Sequence, residues 1–332
     1  MTTAEKTVEK KIEKRVVAGI DIDKLVKKAQ DTYEKKEAGL AKQLSTGKTI
    51  VNSDKDEDHI LWTGGNHWYQ LTHLKGLPFG RIVEISGRPD SGKSTHAAVF
   101  MKYAQDQEYL VVLWDAERKF GRKRFDEKIG GHSDDLLVVN TNKIIDGAKA
   151  VAHFVNAAKE MNPDVKILIV WDSVGASLNS TEDNDETEDY SQQPGVTAKE
   201  NSYAIRKFNK LINKYMNKAT GEHTISVLVI NQNYANIGSR GYTEKGGGEI
   251  YYLSSVIIQL SRINDLTRQR AGEKYKYGIT TRAKVKKNHL FDGDECIAEM
   301  DLVVSADGIH LAKDVKNFGD IKGWDDKNDD DE

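Results

Sequence analysis

The sequence predicts an α/β fold with a mostly parallel central sheet, antiparallel strands at one edge and helices on both faces. Three observations carry this reading. Between Arg81 and Leu311 short β-branched runs alternate with helical patterns, the signature of a parallel sheet with crossover helices. A glycine-rich loop, Gly87 to Ser94, falls directly between one such run and a helical segment. The last apolar runs are separated by turns such as Phe291-Asp292-Gly293 and Ala306-Asp307-Gly308 instead of helices.

The elements follow in order. Residues 1 to about 18 are rich in Lys and Glu with few apolar anchors, which predicts a mobile arm. From Ile20, apolar residues Leu25, Val26, Ala29 and Tyr33 recur at spacings of three to five, so an amphipathic helix is expected to about Glu37, with Asp21 or Asp23 as its cap. Such a helix needs a surface, either its own core or a neighbour's. Ser45 to Asp58 is polar and reads as a connector. Strands are expected at Ile82–Ser86, Leu110–Trp114, Leu136–Asn140, Val165–Trp171 and Ile225–Ile230, and antiparallel edge strands at Tyr252–Leu260, Gly278–Lys286 and Ala298–Val304. The resulting division is an arm over residues 1–55, a core over 56–311 and an acidic tail over 312–332.

Composition narrows the function classes. The chain has 332 residues, 4 Pro and one Cys, and no apolar run approaches the length needed to cross a bilayer. The N-terminal residues are too polar for a secretory signal, and the lone Cys296 cannot form an internal disulfide, so a cytoplasmic protein is expected. Net charge is -3, which argues against indiscriminate coating of a polyanion. The charges are segregated, however: Arg262 to His289 holds nine Lys or Arg against two acids, while Glu182 to Asp189 holds six acids in eight residues.

The sharpest motif is the loop Gly87, Arg88, Pro89, Asp90, Ser91, Gly92, Lys93, Ser94, followed by Thr95. In this pattern glycines let backbone N–H groups face phosphate oxygens, Lys93 adds a positive charge at the β/γ-phosphates, and the Ser94 hydroxyl ligates Mg²⁺. A metal partner is expected from an acid ending another buried strand, and Asp172 follows five apolar residues. A further strand ends in Asp115-Ala116-Glu117, which offers Glu117 as a general base, with a surface salt bridge as the alternative. The strand Ile225–Ile230 leads through Asn231 and Gln232 into Asn233 to Gly248. That loop carries two tyrosines, the cations Arg240 and Lys245, Gly238 and the run Gly246-Gly247-Gly248, a composition suited to a strand of nucleic acid or to a solvated loop.

Together, the stretch Gly76 to Gly87 with its phosphate loop, Asp115-Ala116-Glu117, Asp172-Ser173, Asn231-Gln232 and the glycine loop occur in the order that resembles the RecA family of homologous-recombination ATPases. The resemblance covers roughly Gly76 to His310 and implies a RecA-like ATP-hydrolysing core using ATP and Mg²⁺. Partners implied are single-stranded DNA, homologous duplex DNA, further copies of the chain in a helical filament, and accessory single-strand-binding and loader proteins. Glu117 resembles the family's catalytic glutamate, and Gln232 the glutamine that senses the γ-phosphate and signals to the second DNA-binding loop. Lys199 and Arg206 match positions that grip the DNA backbone, and their spacing of seven puts both on one helical face. Ile237 matches a residue wedged between base triplets, Tyr252 an aromatic contacting the neighbouring protomer, and Lys287 the first of two lysines acting across the subunit interface. The helix from Ile20 resembles the arm that docks on the adjacent subunit.

The chain departs from that pattern in three places. His289 stands where the second lysine belongs, the first loop (Asn179 to Gly195) is densely acidic, and the sequence stops soon after His310, which resembles the bacteriophage UvsX type and implies a host-cytoplasm location. A RecA-like ring motor, helicase or repair ATPase, and a nucleotide-gated structural filament, are the competing readings. His59, His67 and His73 read as loop histidines, Trp62, Trp68 and Tyr69 as a cover for the sheet edge, and the adenine-contacting ring expected near Phe125 is left unassigned.

Overall fold

Apolar runs that are continuous, not alternating, belong to strands covered on both faces. The strands at the centre of this protein behave so. In the computed structural model, which describes residues 16–17, 20–36, 44–46, 60–62, 66–180, 194–215, 223–235, 242–244, 248–270, 272–290 and 298–316, Val112, Trp114, Ile169, Trp171, Val227 and Val229 point into one core, while Val111, Leu113, Leu168, Val170, Leu228 and Ile230 point into the other.

The elements that matter for the site are α1 (Ile22–Lys36), β1 (Ile82–Gly87), α2 (Lys93–Asp106), β2 (Leu110–Asp115), β3 (Leu137–Val139), α3 (Ile144–Met161), β4 (Ile167–Asp172), α4 (Pro194–Lys214), β5 (Ile225–Ala235), α5 (Gly248–Leu253), β6 (Ser254–Arg270), β7 (Glu273–Asn288), β8 (Glu299–Ser305) and β9 (Ile309–Leu311). Their order across the sheet is β9-β8-β7-β6-β1-β5-β4-β2-β3, with Leu44–Thr46 added beside β3. Pairing is parallel from β6 through β3 and antiparallel among β6, β7, β8 and β9. Helices α1, α3 and α4 supply one core with Leu25, Phe154 and Phe208, and α2 supplies the other with Phe100.

Several expectations are corrected. The run Tyr252–Leu260 is not wholly a strand at the antiparallel edge: Tyr252 and Leu253 end helix α5, and Ser254 to Leu260 lies between β1, to which it runs parallel, and β7, to which it runs antiparallel. β6 and β7 also run on past the sheet, so that Thr267–Arg270 and Glu273–Lys276 form a two-stranded ribbon paired only with itself. Val16–Val17, expected in a mobile arm, pair with Ile20–Asp21, and the connector residues Ser45 and Thr46 form an edge strand against Val138 and Leu137. Helix α1 starts where predicted, with the Asp21 carboxylate accepting from the Lys24 N–H at 3.1 Å, and it lies on α3 of its own chain. His67 is not in a loop: it is buried in the helix Asn66–Thr72, edge-on to His96 of α2. Trp68 of the same helix packs against Phe100 of α2 and donates to the Gly76 carbonyl, whereas Tyr69 is half exposed.

His96 lies one turn into α2, its Nδ1 3.0 Å from the Gly92 carbonyl, and burial lowers its pKa to about 4. Because the folded value lies below the ordinary value of 6.5, this residue stabilises the fold above that pH and the contribution is lost as pH falls toward 4. Its share of the loss is about 3 kcal/mol. His96→Leu is therefore expected to retain more of its neutral-pH stability at pH 4.5 than the wild type does, read from urea unfolding at the two pH values.

Candidate functional site

All the parallel strands end on one side of the sheet, where open α/β sheets place their ligands. Register brings specific residues to that rim: Gln232 pairs with Gly87, Ile230 with Asp172, and Asp115 with Asp172. The register of β2 against β4 is fixed below the rim by Trp114 and Trp171, whose rings stack 4.5 Å apart at 7° with Phe208 edge-on to both. Because side chains alternate along a strand, the residues after the two tryptophans, Asp115 and Asp172, turn to the opposite face.

The glycine-rich loop wraps the start of α2. Gly92 has φ 93°, in the left-handed region, and a Cβ there would come within 3.0 Å of Val304. Lys93 is buried at the centre of the loop and donates to the Arg88 carbonyl at 2.7 Å, an oxygen that also accepts from the Ser91 hydroxyl at 2.8 Å. Burial lowers the Lys93 pKa, opposed by the nearby charges of Asp172, Glu117 and Asp90. A buried ammonium beside a fourteen-residue helix's N-terminus, with no side chain on Gly92, fits the phosphates of a nucleotide. The Ser94 hydroxyl is hydrogen-bonded to Asp172, whose carboxyl burial pushes up to about 6 against that hydrogen bond. This hydroxyl–carboxylate pair is the hard-oxygen donor set that Mg²⁺ takes.

Glu117 hangs from a turn built by Asp115. The Asp115 carboxylate accepts from the N–H groups of Lys119 and Phe120, and the Ala116 N–H reaches the Asp172 carbonyl at 2.8 Å. One Glu117 oxygen accepts from the Ser173 hydroxyl and from the Gln232 amide, both at 2.6 Å, and the other faces the Lys119 ammonium at 2.9 Å. Burial raises the Glu117 pKa, but the bonds from Ser173, Lys119 and Gln232 outweigh it and hold the group below the usual range, so it is ionised at neutral pH. Gly175 lies under the Gln232 side chain, where a Cβ would come within 2.8 Å of it.

Gln232 therefore joins the rim to the segment that follows it. Among the residues expected there, Ile237, Gly238, Arg240, Lys245, Gly246 and Gly247 lie outside the described residues, as does most of the first loop, 181–193. Asn233 to Ala235 pair with Tyr242–Glu244, and Gly248 begins α5. Lys199 and Arg206 do share one exposed face of α4, and Arg206 is engaged: its guanidinium forks onto Glu249 of α5 at 2.8 and 2.9 Å. The same short helix presents Tyr252, 76% exposed, and its carbonyls at Tyr251 and Tyr252 accept from Lys287 at 2.8 and 3.2 Å. Lys287 also lies in the field of Glu84, a buried carboxylate of β1 bonded to the Asn231 amide. His289 donates its backbone N–H to the Ser255 carbonyl.

Sequence reading gave no role to Ser173, Lys119, Arg124 or Glu249. Ser173 and Lys119 flank residues that were singled out, and that adjacency was the available signal. Arg124 and Glu249 have none. Arg124 donates to the Thr95 hydroxyl and to the Ser305 and Ala306 carbonyls, 181 or more residues away along the chain for the latter two, and Phe125 is buried against Phe120.

Comparison with known proteins agrees with this architecture. A model of the RecA N-terminal domain matches residues 37–310. The protein RecA of Nautilia profundicola is 31% identical over 286 residues, covering 84% of this chain and 75% of that protein. The protein RecA of Nitratiruptor sp. is 30% identical over 271 residues, covering 78% and 73%. That of Campylobacter jejuni subsp. doylei is 29% identical over 257 residues, covering 76% and 69%.

The hydrogen bond from Ser173 is one of the groups that keep Glu117 acidic. Ser173→Ala is expected to raise the Glu117 pKa toward its ordinary value of 4.5. Carbon-13 titration of the carboxyl would register this, and an unchanged midpoint would show that Lys119 and Gln232 suffice.

Proposed function

This chain belongs to the RecA family, and on that premise we propose that it is an ATP-dependent DNA recombinase. In this reading it polymerises as a helical filament on single-stranded DNA, pairs that strand with homologous duplex and exchanges strands, while DNA-stimulated hydrolysis of ATP releases the filament. The observation that carries the reading is the convergence on Glu117: one carboxylate oxygen is held by Ser173 and by Gln232, and Gln232 leads directly into the glycine-rich segment.

The geometry supports the following roles. Backbone N–H groups of Gly87 to Ser94 and the start of α2 bind the phosphates, and Lys93 exchanges its bond to the Arg88 carbonyl for a phosphate oxygen. Ser94 and Asp172 would hold Mg²⁺, which would supply positive charge against the charge developing on the phosphoryl oxygens. Glu117, ionised and fixed from three sides, orients the attacking water and accepts its hydrogen bond. Gln232 stands within bonding distance of that carboxylate, so a γ-phosphate that draws on Gln232 also moves the strand feeding residues 233–248. Lys287, joined to the α5 carbonyls beside the exposed Tyr252, ties the same helix to the face expected to meet the next protomer.

DNA binding involves Lys199, Arg206 and the glycine loop. Arg206 is bound to Glu249 in the isolated chain, so a DNA phosphate replaces one anion by another, and α5 is released as it does so. Among the described residues no helix is long and apolar enough to cross a membrane.

The deciding experiment is steady-state ATP hydrolysis without DNA, with single strands and with duplex, at two salt concentrations, alongside imaging of the same samples. Stimulation by single strands together with open helical filaments is the expected result. Closed rings would favour a translocating motor, and filaments without turnover a structural polymer. Lys93→Ala is expected to abolish turnover, and Glu117→Gln to lower it by about 10²- to 10⁴-fold with nucleotide binding retained. Glu249→Gln is expected to tighten single-strand binding at low salt by about two- to fivefold, an effect that should vanish when Arg206 is also replaced by Gln.

A further inference from the structure

Helix α4 carries more positive charge than two DNA contacts require. Lys199, Tyr203, Arg206, Lys207, Lys210 and Lys214 follow the helical repeat and line one groove, closed on its far side by Ala152 and Asn156 of α3. The groove has a volume of about 860 Å³ and no Asp or Glu in its lining. Of its five cations only Arg206 has an acidic partner among the described residues, Glu249. The contacts made by two others are neutral: the Lys207 ammonium reaches the Tyr203 hydroxyl at 3.0 Å and lies over that ring, and the Lys214 ammonium reaches the Asn156 amide oxygen at 2.8 Å. Such contacts orient a lysine without neutralising it.

Like charges three and four residues apart on a helix repel and weaken it. Lys207, Lys210 and Lys214 carry that cost in full, since no acid on either helix offsets it within the groove. We infer that this groove is a docking surface for the phosphodiester backbone of single-stranded DNA, one that continues past Lys199 and Arg206 to Lys214. From Lys199 to Lys214 the helix rises about 22 Å, enough for several successive phosphates. Tyr203, 39% exposed between Lys199 and Lys207, offers a ring on which a base can stack while the cations follow the backbone. An acidic protein segment would use the charges but has no need of the ring. The inference rests on the DNA-binding reading proposed above and adds Tyr203, Lys207, Lys210 and Lys214 to it.

The test is fluorescence anisotropy of a labelled oligodeoxythymidylate, with ATP present, across a potassium chloride series. It compares the wild type with Lys210→Gln/Lys214→Gln, two exposed substitutions at helix-compatible residues. Losing two phosphate contacts should reduce the slope of log affinity against log salt by about 1.4, with binding weaker by about tenfold at low salt and the curves converging at high salt. Hydrolysis without DNA and the circular dichroism spectrum should match those of the wild type. An unchanged slope in a folded variant would overturn the inference. So would an unchanged slope combined with lost binding to polyglutamate, which would assign the groove to an acidic protein. If the wild type itself bound no DNA, the DNA-binding reading would fall first, and the groove with it.

Discussion

The alignment of strand ends at one rim of the sheet is the constraint on which the rest of this molecule depends, and the stacked pair Trp114–Trp171 sets it where it matters most. The two rings lie on adjacent parallel strands, so a slip of one residue would unstack them and turn the acid of the slipped strand, Asp115 or Asp172, to the wrong face. With the register held, Asp172 is brought beside Ser94 and Asp115 is free to fold the turn that presents Glu117. The two-sided hydrophobic core is thus the means by which carboxylates are placed.

Placing carboxylates together has an electrostatic cost, which the site distributes unevenly. Asp172 stays in a desolvated position where its charged form is disfavoured, so a cation is the natural complement. Glu117 is held by Ser173, Gln232 and Lys119 and keeps its charge without one. Lys93, the only ammonium buried among these groups in the described residues, is pulled down by burial and up by all three carboxylates around it. The groups that differ in environment are those to which different chemical roles have been given.

Away from the rim, four of the five cations in the α4 groove have no acidic partner among the described residues, whereas four of those on β6 and β7 are paired with acids. Arg262 and Lys276 converge on Asp265, and Arg282 and Lys284 meet Asp301 and Glu299 across the neighbouring strand. Charge counts along the chain made β6 and β7 appear the more basic surface. Once these partners are assigned, four cations of β6 and β7 are taken up by neighbouring acids, while of the five cations in the α4 groove Arg206 alone has an acidic partner among the described residues.

How much was legible in the sequence depends on the range of the interaction involved. The phosphate loop, the helix at Ile22, the parallel strands and the acids that end them are local: glycine spacing, apolar runs and caps act over a few residues, so the chain alone determined them. The strand Ser254 to Leu260 was misread because its neighbours in sequence are antiparallel, and only the full strand order shows that its other neighbour is β1. Ser173 and Gln232 meet Glu117 from 56 and 115 residues away, and Glu249 meets Arg206 from 43. No periodicity or composition encodes such pairs, because hydrogen bonds and ion pairs depend on distances of about 3 Å that exist only after the sheet has closed. The sequence thus determined which groups the protein carries, and tertiary structure decided which of them are paired, buried or left charged.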